Sequence, residues 1–176
     1  NTGTIGSGSV AGIYLASNAS LLSGLTNSGS IGGAVTGIKL AQSSLSGGLY
    51  NTGIVQGSSF ALNIDAISIL SGGITIAGAS ATFVGALGNA GLIQEGVNVN
   101  AGALAGGVYN TGTIGSGSVA GIYLASNASL LAGLTNSGSI GGAVTGIKLA
   151  QSSLSGGLNN TGTISGGQYG IGLSQS

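Results

Sequence analysis

Only four side chains carry a formal charge: Lys39, Lys148, Asp65 and Glu95. Any chemistry that needs an acid, a base or a cation must start from these. Two carboxylates could flank a glycosidic bond. Here, however, Asp65 closes an apolar-x-apolar segment and Glu95 follows a different kind of segment further on, so the pair falls on different parts of the fold. Histidine and arginine are absent, which leaves the many serines without an activating base. Two lone acids make a poor calcium cage, and no cysteine is present to bind a softer metal. The glycine-rich stretches "GSGSVAG" and "GGAVTG" lack the lysine-Ser/Thr pair of a phosphate loop and the dinucleotide fingerprint. The sequence therefore reads as a non-enzyme, with no catalytic, cofactor or metal site.

Two residue sets remain with a chemistry of contact. Tyr14, Lys39, Tyr123 and Lys148 occupy the middle of apolar-x-apolar tetrapeptides ("GIYL", "GIKL") and are expected to point outward as one surface-contact column. Tyrosine and lysine can hold a sugar or a protein surface by stacking and hydrogen bonding. Tyr50 and Tyr109 form a second, sparser column. The other set is Asn1, Asn27, Asn51, Asn89, Asn110, Asn136 and Asn160, each opening Asn-small-Gly. These are expected to be structural corners, because asparagine and glycine tolerate the left-handed backbone of a tight turn. Stacked amides could also bond to one another along the fold. "TGT" and "SGS" triplets raise an ice-binding Thr-x-Thr array, but serine and other residues interrupt it.

The elements that must hold these residues are repeats. Residues 1–49 recur as 110–158, offset by 109, with Ser23 against Ala132 as the single difference. Successive asparagines of the set are spaced by 26, 24, 38, 21, 26 and 24 along the chain. Four positions after each stands Ile5, Ile31, Val55, Ile93, Ile114, Ile140 or Ile164. Mid-repeat, Ile13/Leu15, Ile38/Leu40, Leu62/Ile64, Val97/Val99, Ile122/Leu124, Ile147/Leu149 and Ile171/Leu173 alternate with polar residues, the period of a half-buried strand. A unit this small cannot bury its apolar face alone, so neighbours must stack. The expected fold is all-β: a right-handed parallel β-helix of about three strands and about 24 residues per turn, roughly seven turns, forming one domain over 1–176. The interval of 38 predicts an irregularity near 66–88, either an inserted hairpin or a short turn beginning near Ile76.

Composition narrows the partners. Charged residues make up 2% of the chain, against roughly 25% in ordinary domains. Net charge is zero, which excludes a basic patch for nucleic acid. No apolar run reaches the roughly 18 residues of a membrane helix, so this segment is not expected to insert. Hydrophobic residues are 42% of the chain, too many for a disordered tract.

At "SGGLYNTGIV", "LTNSGSIGG" and "NTGTISGGQYGIGLS" the chain resembles the passenger-domain repeats of Gram-negative autotransporters and related giant surface adhesins. The resemblance implies export to the bacterial cell surface, a β-helical stalk, and adhesive or biofilm roles. Function is accordingly expected to be an extracellular structural or adhesive stalk or filament. The expected partners are the chain itself, through head-to-tail stacking or further repeats, and host-surface or matrix glycans. The alternatives are a self-assembling β-solenoid or cross-β fibre subunit, a polysaccharide-acting β-helix enzyme, and an ice-binding solenoid. Asn1 opens inside a repeat, so a longer parent protein is expected.

Overall fold

The computed structural model describes residues 1–175. Among them there are 26 strands and no helix. The strands stack in parallel into three sheets of twelve, seven and seven strands, giving a β-solenoid of about seven turns. The first column passes in register through Thr4, Ser30, Ile54, Thr82, Ala103, Ser129 and Ser153, one residue per turn.

Each turn has four strand segments rather than three. The first wall begins at Thr4–Ser7, the second at Ala11–Ala16, the third at Ser20–Leu21 and the fourth at Leu25–Asn27. The first two walls join in the twelve-stranded sheet because Ile54–Ile64 and Thr82–Asn89 run continuously across both. The extra segment arises at glycine. Gly24 (φ 80°), Gly48 (φ 78°) and Gly73 (φ 72°) stack in the left-handed region between the third and fourth walls. They break what reads in sequence as one strand, a conformation that favours glycine.

The interior consists of continuous aliphatic columns. On the first wall Ile31, Val55, Phe83 and Leu104 are fully buried and stacked in register. On the third, Leu45, Leu70, Ile93, Ile114 and Ile140 do the same. The mid-repeat pairs also face inward: Ile38, Leu40, Leu62, Ile64, Val97, Val99, Ile122 and Leu124 are buried, while Tyr14 between Ile13 and Leu15 is 60% exposed. Burying one such side chain contributes about 1.5–3 kcal/mol, and the stack repeats that gain in every turn.

The stretch near 66–88 holds no inserted hairpin. Ile69–Leu70 and Ile74–Ala77 stack as ordinary segments on the third and fourth walls. Instead, the longest turn of the column, from Ile54 to Thr82, is followed by the shortest, from Thr82 to Ala103. The short turn thus starts at Thr82 rather than near Ile76. Between Asn51 and Asn89 the chain makes one and a half turns. Asn51 is therefore paired with Ile76 on the fourth wall, whereas Asn89 is paired with Ile64 on the second. From this point the repeat continues half a turn out of phase. The segments that were on the second wall are now on the fourth: Ala120–Ala125 and Thr145–Ala150 replace Ala11–Ala16 and Thr36–Ala41.

Candidate interaction surface

The half-turn shift divides the asparagine column into two ladders. Asn1, Asn27 and Asn51 lie on the fourth-wall side, and Asn89, Asn110, Asn136 and Asn160 on the second. Each amide nitrogen donates to the carbonyl oxygen of the next asparagine: 2.9 Å for Asn1 to Asn27 and 2.7 Å for Asn27 to Asn51. The second ladder runs at 2.8, 2.7 and 2.7 Å. The same nitrogens reach a main-chain carbonyl one turn on, as Asn110 does to Ser139 at 3.1 Å. Asn27, Asn51, Asn89, Asn110 and Asn136 are buried.

These residues are inward strand ends, and none of them has a positive φ. The left-handed corner expected of them belongs instead to Asn18, Gln42, Ala101, Asn127 and Gln151, each beyond the end of a mid-repeat strand. Asparagine is used in the ladders because its amide donates and accepts along the stack axis, where water cannot reach. The glycine two residues later is required for space. A Cβ on Gly53 would run into the main-chain carbonyl of Gly29 in the turn before. The break between the ladders leaves one mark: the Asn89 Oδ1 is the single buried side-chain nitrogen or oxygen without a hydrogen-bond partner among the described residues. Ile64, which lies below it, has nothing to donate.

The outward column is divided in the same way. Tyr14 and Lys39 are neighbouring rungs on the second wall; Tyr123 and Lys148 are neighbouring rungs on the fourth. The structure brings each lysine to its tyrosine, with the Lys39 Nζ 5.4 Å from the Tyr14 ring centre and the Lys148 Nζ 5.3 Å from that of Tyr123. That is within cation–π range. The four residues are thus two pairs half a turn apart. Tyr50 and Tyr109 separate as well. Tyr109 joins the ladder of Tyr14, Lys39, Asn63 and Gly88. Tyr50 joins that of Thr75, Asn98, Tyr123 and Lys148. Each of these two ladders therefore carries two tyrosines and one lysine, and the fourth wall also bears the exposed Tyr169 on another rung. The signal for this division was present in the sequence. The cassette offset of 109 is about four and a half times the regular interval from Asn27 to Asn51, which is not a whole number of turns.

The two carboxylates stand on different corners. Asp65 follows the second-wall strand Ile54–Ile64 and is tied into the backbone. It accepts from the Gln42 N–H at 2.9 Å, the Ile67 N–H at 3.3 Å and the Ser68 hydroxyl at 2.5 Å. Burial alone would push its carboxyl up, but these hydrogen bonds outweigh it and hold the group below its ordinary range. Glu95 precedes the fourth-wall strand Val97–Asn100 and borders a shallow groove with Thr75, Asn98, Ser118 and Tyr123. The Thr-x-Thr rungs are shared between walls: Thr4 and Ser30 on the first, Thr113, Ser139 and Thr163 on the third. Among the described residues no three potential metal ligands of the Asp/Glu/His/Cys type come together, and no helix is long and apolar enough to cross a membrane.

No protein-family model, curated protein or solved structure matches the chain.

Proposed function

We propose that the chain is a non-enzymatic rod segment of an extracellular bacterial surface protein, a stalk that spaces or presents binding surfaces. The observation that supports this most strongly is the continuous interior: buried columns run through consecutive turns and pack into one cluster. At about 4.8 Å per turn, seven turns make a rod roughly 35 Å long. Its stiffness comes from continuous ladders of main-chain hydrogen bonds, reinforced by the asparagine amides. The surface carries shallow grooves and, among the described residues, no acid paired with a base. Export to the cell surface is the expectation that the resemblance to autotransporter passenger repeats implies. Antibody raised against the chain should label intact cells of the organism that makes it; labelling only after permeabilisation would overturn the reading.

A second reading, assembly into filaments, is favoured by one observation. Residues 1–49 and 110–158 are the same sequence apart from one position, and identical turns make interchangeable neighbours. Electron microscopy of the concentrated chain distinguishes fibres from separate short rods.

A further inference from the structure

We propose that the chain holds two strands of a carboxylate-bearing polysaccharide at once, one on the second wall and one on the fourth, and so cross-links them. This goes beyond the stalk reading, because a rod that binds on one side, or nowhere, would still be a rod.

Three observations carry it. The first is duplication in the same local geometry. The Lys39–Tyr14 and Lys148–Tyr123 pairs have nearly equal separations, 5.4 and 5.3 Å. The corners beside them also match, with the N–H groups of Asn18 and Asn127 each donating at 2.6 Å, to the carbonyls of Gln42 and Gln151. Both pairs thus offer a ligand the same ammonium and the same kind of ring. The second is direction. The pairs lie on walls half a turn apart and in different sheets, and the offset of four and a half turns separates them by about 22 Å along the axis. Two ligand chains can be held without meeting.

The third is charge. Each cassette contains one lysine and no acid, and both carboxylates lie between the cassettes. Each pair is a cation beside a flat aromatic ring; Asp65 is engaged by the Gln42 and Ile67 N–H groups and the Ser68 hydroxyl, and Glu95 borders the groove beside Tyr123. A carboxylate pairs with the ammonium, and the face of a sugar ring packs on tyrosine. The neighbouring outward amides, Asn63 beside Lys39 and Asn98 beside Tyr123, suit hydroxyl groups. A single exposed ion pair contributes little by itself, so the ligand must offer carboxylates repeatedly. That selects a polymer whose many groups rebind at high effective concentration. An acidic polypeptide would supply the charge but not the stacked rings.

The test uses the full chain and polygalacturonate as probe, at low salt. Co-sedimentation reads binding, and light scattering reads cross-linking. The wild-type chain is expected to co-sediment and to raise the scattering. Lys39→Gln and Lys148→Gln should each still co-sediment while losing the scattering rise, and the double variant should lose both. Both lysines are outward, so circular dichroism of the variants should match wild type. Absence of binding overturns the ligand class. Binding by the wild type without a rise in scattering, or a rise that survives in both single variants, overturns the two-wall arrangement. An equal response to poly-glutamate overturns the saccharide preference in favour of an acidic peptide.

Discussion

Replacing Asn110 and Asn89 by leucine should give very different stabilities, although both are buried asparagines in one ladder. Leucine has a precedent at this inward position, because Leu15, Leu40 and Ile64 fill it in the preceding turns. The two variants therefore differ chiefly in hydrogen bonding. Asn89→Leu removes an acceptor that is already orphaned and orphans the Asn110 Oδ1 in its place, so the number of unpartnered buried acceptors stays at one. Asn110→Leu leaves Asn89 Oδ1 as it was and also strips the Asn136 Oδ1 of its 2.7 Å donor, so the number rises to two. It also breaks one more amide–amide bond, the 2.8 Å contact from Asn89. A buried unsatisfied acceptor costs about 1–3 kcal/mol and a hydrogen bond contributes about 1 kcal/mol net. Asn110→Leu should thus be less stable than Asn89→Leu by about 2–4 kcal/mol. For a chain of this size that is roughly 5–15 °C in melting temperature, read by far-ultraviolet circular dichroism. Repeat arrays can unfold in parts, so urea titrations of the same variants should accompany the melts and keep the same order. Melting temperatures within a degree or two of each other would refute the argument that the ladder stabilises the fold by satisfying its own interior.

Leu40→Asp should destabilise by several kcal/mol, because it places an unpaired carboxylate in the core; Lys39→Asp, on the outward rung beside it, should change stability by less than about 1 kcal/mol. Equal urea midpoints would contradict the assigned facing. Gly53→Ala should be strongly destabilising, since its Cβ meets the backbone of the turn before, whereas Gly3→Ala, with open space around it, should be neutral; comparable melts would show that the turns can move apart. Asp65 has its carboxyl held below the ordinary range, so its contribution is fully present above about pH 3.9, the ordinary aspartate value. That contribution is lost as pH falls through the lower folded value. Wild type should lose stability on that acid limb and Asp65→Asn should not; parallel curves would remove Asp65 as the cause.

The aliphatic columns were legible because their spacing is dictated by geometry. Ile38 and Leu40 can both face inward only in a strand, and Ile5, Ile31 and Val55 recur at one turn's length. The outward position of Lys39 followed from the same period. The corners were less legible. Asn27 reads as a turn residue because asparagine is common in turns, and only the recurrence of asparagine one turn apart raises its role here, an amide directed at the stacked Asn51. The division of Tyr14 from Tyr123 was hidden for a different reason. "LSGGIT" imitates the corner before an asparagine without supplying one, so the phase of the repeat had to be counted across the gap rather than read within it.

The half-turn shift is possible because each turn is built twice from one design. A polar-aliphatic pair, a glycine corner and an apolar-x segment occur as "SLLSGLTN" and again, with a longer corner, as "TIGSGSVAGIYL". When the chain slips by half a turn at 66–88, the inward aliphatic positions still meet apolar neighbours: Leu49 meets Ile74, Val55 meets Phe83, and Leu62 meets Leu87. The core cannot distinguish the two phases. The pairing of Ile54–Ile64 with Thr82–Asn89 shifts register between Val84 and Leu87, and the asparagine ladders register the slip through the orphaned oxygen of Asn89, at about 1–3 kcal/mol. That is no more than the contribution of one buried leucine, so the cost is small against the whole stack. The slip has a large effect outside. An array kept in phase would place Tyr14, Lys39, Tyr123 and Lys148 along one wall, whereas half a turn of slip turns the second pair away from the first. The interior of this fold thus tolerates at little cost a change that decides how many sides of the rod can make contact.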